Sequence, residues 1–276
     1  MTKRDPRRRA PNSSERKIEA VSIAADLVDF LAEQEGAAGV QQAADALQIT
    51  KSRASRHLTN LETLGLVTRS SVRQGYTLGW RALRWGYIAS ARMNFSELFA
   101  EPLETLKEQV SRTVLLCSPA KGDAIVMDSK PADNPIRIDV QIGLILSLPY
   151  SPSALVSFAF MPREERKAMM QHLIARDPDF RVLDDKRLHE DVIKLQQCYY
   201  CWAENKYNVG YGAIAGPVFD KEERLAAIVT VVLPSDELKD SGPPETMLQA
   251  LIDACATCSH ILGSNIRFPP VSSEDG

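Results

Sequence analysis

Between Thr50 and Val67 the chain reads "TKSRASRHLTNLETLGLV", and Thr50, Lys51, Ser52, Arg53, Ser55 and Arg56 crowd its start. Hydroxyls, guanidinium groups and the free N–H groups of a helix start are donors for phosphate oxygens. A helix docks in a DNA major groove by its first turns, and arginines there reach base edges, guanine above all. The spacing therefore predicts a recognition surface for double-stranded DNA. Arg69 and Arg73, just downstream, are placed to grip the flanking backbone or minor groove. The same residues would also suit a solvated polar face on a surface helix, so the surrounding elements have to decide.

Those elements agree with the first reading. Apolar residues at Val21, Ala24, Ala25, Val28 and Leu31 predict a helix from Ile18 to near Gly36. Val40, Ala43, Ala44 and Leu47 predict a second, short one. Thr50 is a good N-cap for a third helix, whose buried side is Ala54, Leu58, Leu61 and Gly65. Two β-like runs follow, "LVTRS" and "YTLG", joined by the polar turn "SVRQG". Three helices and a small hairpin are the order of a winged helix-turn-helix. A further helix, "WRALRWGYIASAR", leads out of it; its apolar residues cover most of its circumference, which suits a partner subunit or an interdomain link.

Charge is divided along the chain. Residues 1–92 carry 15 Lys and Arg against 9 Asp and Glu, and the remainder carries 18 against 27. A basic first part beside an acidic second part favours a polyanion partner for the first alone. The absence of any long apolar run predicts no membrane span, and the basic N-terminus has no apolar stretch behind it to make a secretory signal. A cytoplasmic protein is expected.

From about Glu97 the pattern mixes strands ("TVLLCS", "AIVMDSK", "IRIDVQIG", "AIAGPVFD", "LAAIVTVVL") with helices expected at 97–110, 152–160, 162–175, 185–198 and 243–262. The last strand is apolar on both faces and should be central. Ser151 before Pro152 predicts a helix start whose N–H groups at Ser153, Ala154 and Leu155 favour a carboxylate. An ordinary capped helix would read the same way. Five cysteines form two C-x-x-C pairs, Cys198/Cys201 and Cys255/Cys258, with Cys117 alone. A four-thiolate zinc site is the rival, but neither pair lies in the tight polar turn that zinc knuckles use, so buried thiols are expected and no metal or cofactor. A zinc- or thiol-dependent enzyme fused to a helix-turn-helix is the alternative function. However, no G-x-S-x-G, H-E-x-x-H or H-x-E…C-x-x-C pattern occurs.

The stretch "VQQAADALQITKSRASRHLTNLETLGLVTRSSVRQGYTLGWRALRWG" resembles the DNA-binding domain of IclR-type bacterial transcriptional regulators. "LPYSPSALVSFAFMPREER" and "GYGAIAGPVFDKEERLAAIVTVVL" are similar to two signatures of that family's effector domain. The resemblance implies an α+β fold, a winged helix-turn-helix joined by a helix to a GAF-like effector-binding domain. The expected divisions are a basic arm at 1–16, disordered because it is rich in Pro, Arg and Ser without periodicity, the DNA-binding domain at 17–79, a linker helix at 80–96, the effector domain at 97–264 and a tail at 265–276 that reads as disordered. It implies operator DNA, a small-molecule effector and a homo-oligomer, either a dimer or a dimer of dimers. By resemblance, Ala213, Val229 and Val231 face the effector; core packing would explain these three equally well. The apolar valine pair points to a hydrophobic or aromatic carboxylic acid. The family's usual glycine and basic residue are Val156 and Ser157 here, and its glycine-tyrosine-alanine is Tyr199-Tyr200-Cys201.

Overall fold

The computed structural model describes residues 19–70, 74–133, 138–176, 185–204, 210–238 and 242–269. The expected basic arm, Arg73 and residues 270–276 lie outside them. Two compact units divide between Asn94 and Phe95.

The first unit holds α1 (Glu19–Ala32), α2 (Val40–Ala46), α3 (Lys51–Thr63), β1 (Val67–Arg69), β2 (Tyr76–Leu78) and α4 (Trp80–Met93). Ile23, Leu27 and Leu31 of α1 meet Ala43, Leu58, Leu61, Val67 and Tyr76 in one core, whereas Val21 and Ala25 of the expected apolar set are exposed. β1 and β2 pair antiparallel as the wing, with Val67 opposite Leu78. Gly65 follows the C-cap Leu64 of α3, with a φ of +73° that suits glycine. A Cβ there would stand 2.5 Å from the Trp80 indole nitrogen, and one on Gly79 would stand 2.4 Å from the Gly65 carbonyl oxygen. Two glycines thus let the start of α4 cross the end of α3 almost at backbone contact.

The second unit contains α5 (Phe95–Leu98), α6 (Ala100–Val110), β3 (Thr113–Ala120), β4 (Asp123–Lys130), β5 (Ile145–Leu146), α7 (Pro152–Ala159), α8 (Arg163–Arg176), α9 (Asp185–Cys198), β6 (Cys201–Glu204), β7 (Tyr211–Phe219), β8 (Leu225–Pro234) and α10 (Glu245–Ile261). The strands form one antiparallel sheet in the order β5-β4-β3-β8-β7-β6. β8 is central, as its apolar faces require. One face packs on α6 and α10 through Val114, Leu116, Ile214, Val229, Val231 and Leu251. The other packs on α7 and α9 through Leu115, Val126, Ala215, Ile228, Val156 and Leu195.

Four local expectations change. The helix expected over 97–110 is broken at buried Phe99, because Pro102 cannot bond to the Leu98 carbonyl and its ring would clash with it. "IRIDVQIG" is not a strand over its described residues 138–143. Instead the Ile138 carbonyl accepts the Thr113 hydroxyl at 2.8 Å, and the short strand falls at Ile145–Leu146. The edge strand β6 begins within the first cysteine pair. In the expected tail, residues 265–269 form no helix or strand, yet the Phe268 ring lies 5.2 Å from that of Tyr199 and 6.0 Å from that of Phe219.

Candidate functional site

In the first unit, the Thr50 side chain accepts the Arg53 N–H at 3.3 Å and so caps α3. Thr50, Lys51, Ser52 and Arg56 are exposed, while Ser55 is half-buried. Buried Ala54, Leu58 and Leu61 hold the opposite side of the helix to the body. Arg53 stands apart from its neighbours. Its Nη2 lies 2.8 Å from a Glu19 carboxylate oxygen of α1 as an ion pair, in which the Arg53 side chain is 35% exposed and that of Glu19 74%. Arg53, Arg56, His57 and Asn60 line a shallow open depression on the helix surface. In the wing, Arg69 reaches Glu62 of α3 at 3.3 Å and lies over the Tyr76 ring at 5.4 Å.

Reading by sequence missed Glu19, His57 and Asn60 as parts of this surface. His57 and Asn60 were legible from helical spacing, since they follow Arg53 and Arg56 by one turn. Glu19 was not, because it reaches α3 from another helix, 34 positions earlier in the chain.

In the second unit, Ser151 is the N-cap of α7 and Pro152 its first residue, though the Ser151 side chain makes no capping bond. The Leu155 N–H donates to the Ser151 carbonyl at 3.0 Å, so it is not a free donor as expected. A helix leaves its first N–H groups unpaired, and the fourth residue after the cap already closes the first turn. The N–H groups of Ser153 and Ala154 meet no acceptor among the described residues. Both residues are fully buried, and Ser151 is 6% exposed. The Ser153 hydroxyl hydrogen-bonds the Thr230 hydroxyl at 2.8 Å. Burial pushes the Cys117 thiol beside them up to about 12, against hydrogen bonds from Ser153 and Thr230 that act the other way.

The strand residues assigned to the effector divide between the two sides of the sheet. Ala213 pairs with Val232 and shares the α7 face with Ala215, Ile228 and Thr230. Val229 and Val231 occupy the opposite face, fully buried against α6 and α10. They cannot line one cavity with Ser153. Alternate strand residues face opposite ways, so the residues grouped by the resemblance stand on two sides of the sheet.

The cysteine pairs divide in the same way. Cys201 begins β6, and its thiol donates to the Pro152 carbonyl at 3.4 Å, on the α7 face. Cys255 and Cys258 lie in the core against α6. One zinc ion needs every sulfur at about 2.3 Å, which a sheet between the pairs forbids. Among the described residues no group of three or more His, Cys, Asp or Glu could hold a metal ion. Burial pushes the Cys258 thiol up to about 12, and burial, then the neighbouring Cys258, raises that of Cys255 well above 9.0.

These raised thiols favour the folded state only while they stay protonated. Their contribution is complete below the ordinary thiol value of 9.0 and is lost as pH climbs from there towards 12. Each thiol lowers unfolding free energy by about 1.4 kcal/mol per pH unit in that window. Denaturant melts at pH 8 and pH 10.5 will therefore show a marked alkaline loss, relieved in part by Cys117→Ala.

The family described as bacterial transcriptional regulator IclR C-terminal matches residues 88–260, and the IclR helix-turn-helix domain family matches residues 20–71. The chain is similar to the HTH-type transcriptional regulator BhcR of Paracoccus denitrificans, with 26% identity over 245 residues, 88% of this chain and 86% of that protein. Its fold resembles that of an IclR family transcriptional regulator from Brucella abortus (TM-score 0.71, 18% identity, covering 94% of this chain and 97% of that one). It also resembles an IclR homolog from Microbacterium hydrocarbonoxydans complexed with 4-hydroxybenzoate (TM-score 0.68, 15% identity, covering 88% of this chain and 99% of that one). A helix-turn-helix with a wing, joined in one chain to an effector-binding α/β unit that matches over most of its length, belongs to the IclR family of transcriptional regulators.

Proposed function

We propose that this regulator binds operator DNA through the start of α3 and the wing, and that a hydrophobic or aromatic carboxylic acid bound at the start of α7 controls its affinity. One observation carries the effector reading. The Ser153 and Ala154 N–H groups are buried without an acceptor among the described residues. A buried helix start calls for an acceptor, and its dipole favours a negatively charged one. The apolar body of the acid would lie toward Ala213, Ala215, Ile228 and Val232, in place of the valine pair on the other face. The relative complexed with 4-hydroxybenzoate supports an aromatic acid as the first probe.

The protein acts as a homo-oligomer in this reading. On α4, Leu83 and Tyr87 are each 76% exposed and Trp85 is 53% exposed. Such an apolar surface suits contact with a second copy. Two copies present two α3 helices to a palindromic site, and effector binding shifts the population of the arrangement that fits the operator.

Thermal unfolding with 4-hydroxybenzoate and a series of aromatic and aliphatic acids tests the effector site. Stabilisation that grows with acid concentration is expected, lost when the acid is replaced by its amide. A series with no shift for any acid would remove the proposed site.

A further inference from the structure

We propose that Glu19 positions Arg53 for base reading, so that the Glu19–Arg53 ion pair is a specificity determinant of DNA recognition. This rests on the reading of α3 as the groove-entering helix.

A free arginine side chain samples many rotamers, and fixing it on a base costs much of that freedom. Here two contacts restrict the residue before any DNA arrives. Its backbone N–H is held by the Thr50 cap at 3.3 Å, and its guanidinium by Glu19 at 2.8 Å. The guanidinium carries five N–H donors in a rigid fork, and Glu19 pairs with it from the Nη2 side. The donors away from Glu19 stay available for the O6 and N7 acceptors of a guanine. The partner comes from the first turn of α1, a separate element, so the pair also fixes how the start of α1 meets the recognition helix. The held guanidinium opens onto the depression shared with Arg56, His57 and Asn60, which places it beside the other base-reading candidates.

A carboxylate close to DNA also repels phosphate. Glu19 therefore acts with opposite sign on the two kinds of binding. It weakens non-specific attraction, which depends on net positive charge, and strengthens discrimination, which depends on where Arg53 points.

The test is selection from a randomised duplex library with the full chain, comparing wild type, Glu19→Gln, Arg53→Ala and the double variant. In Glu19→Gln, discrimination should fall on the order of tenfold at one base-pair position per half-site. That position should be the one lost in Arg53→Ala, and the double variant should lose nothing more there. Affinity of Glu19→Gln for an unrelated duplex should stay equal or rise. An unchanged preference profile in Glu19→Gln, or a uniform loss at every position, overturns the inference and leaves α3 as the reader. If the wild type selects no sequence at all, the reading of α3 falls and the inference falls with it.

Discussion

Replacing Arg56 with alanine will weaken binding to the selected operator about 5- to 100-fold and relax the base preference at one position of each half-site. Arg56 is exposed on the outward side of α3, opposite the residues that anchor the helix. Loss of its side chain therefore removes the proposed DNA contact without opening the core. Lys51→Ala is the comparison. A lysine at the first position of the helix meets phosphate as a point charge, so its loss should weaken all duplexes alike and lower the salt slope by about one. Fluorescence anisotropy against operator and scrambled duplexes over a salt series separates the two. Equal loss of Arg56→Ala on both duplexes would make Arg56 a backbone contact and move base reading to its neighbours.

The second large effect is a contrast between adjacent residues of β8. Thr230→Val removes the hydroxyl paired with Ser153 and leaves that fully buried group only the weaker Cys117 thiol, at a cost of about 1–3 kcal/mol. The double variant Ser153→Ala/Thr230→Val should recover part of that loss, since both polar partners are gone. Val229→Thr does the reverse: it puts a hydroxyl into the apolar core against α6 and α10, at a similar cost. The two differ in their effect on the effector. Thr230→Val should alter the response to an acid because Ser153 lies at the start of α7, whereas Val229→Thr should destabilise without altering it. Denaturant melts with and without 4-hydroxybenzoate check both. An acid response altered by Val229→Thr and untouched by Thr230→Val would place the ligand on the α6/α10 side of the sheet.

Much of the first unit was legible because its information is local. The cap at Thr50, the apolar spacing of Ala54, Leu58 and Leu61, and the hairpin after Gly65 each lie within a few residues of what they control. The central place of β8 was legible for a related reason. A strand apolar on both faces needs cover on both and neighbours on both edges, and Leu225–Pro234 has them in β3, β7 and the two helical layers. The break at Phe99 was legible in principle from Pro102, since the loss of one backbone donor is also a local event.

What the chain determined by itself was therefore its elements, their caps and the grouping of residues into faces. Alternation divided β8 into Val229 with Val231 and Ile228 with Thr230, whatever the strand packs against. Only the tertiary structure decided which set meets α7, because that depends on the register with β3 and β7 and on which helices cover each side. It also decided that Arg53 is held by Glu19 and that the two cysteine pairs lie on opposite sides of a sheet. These contacts join residues far apart in the chain. Periodicity can say that a side chain faces inward, but not which distant residue it will find there.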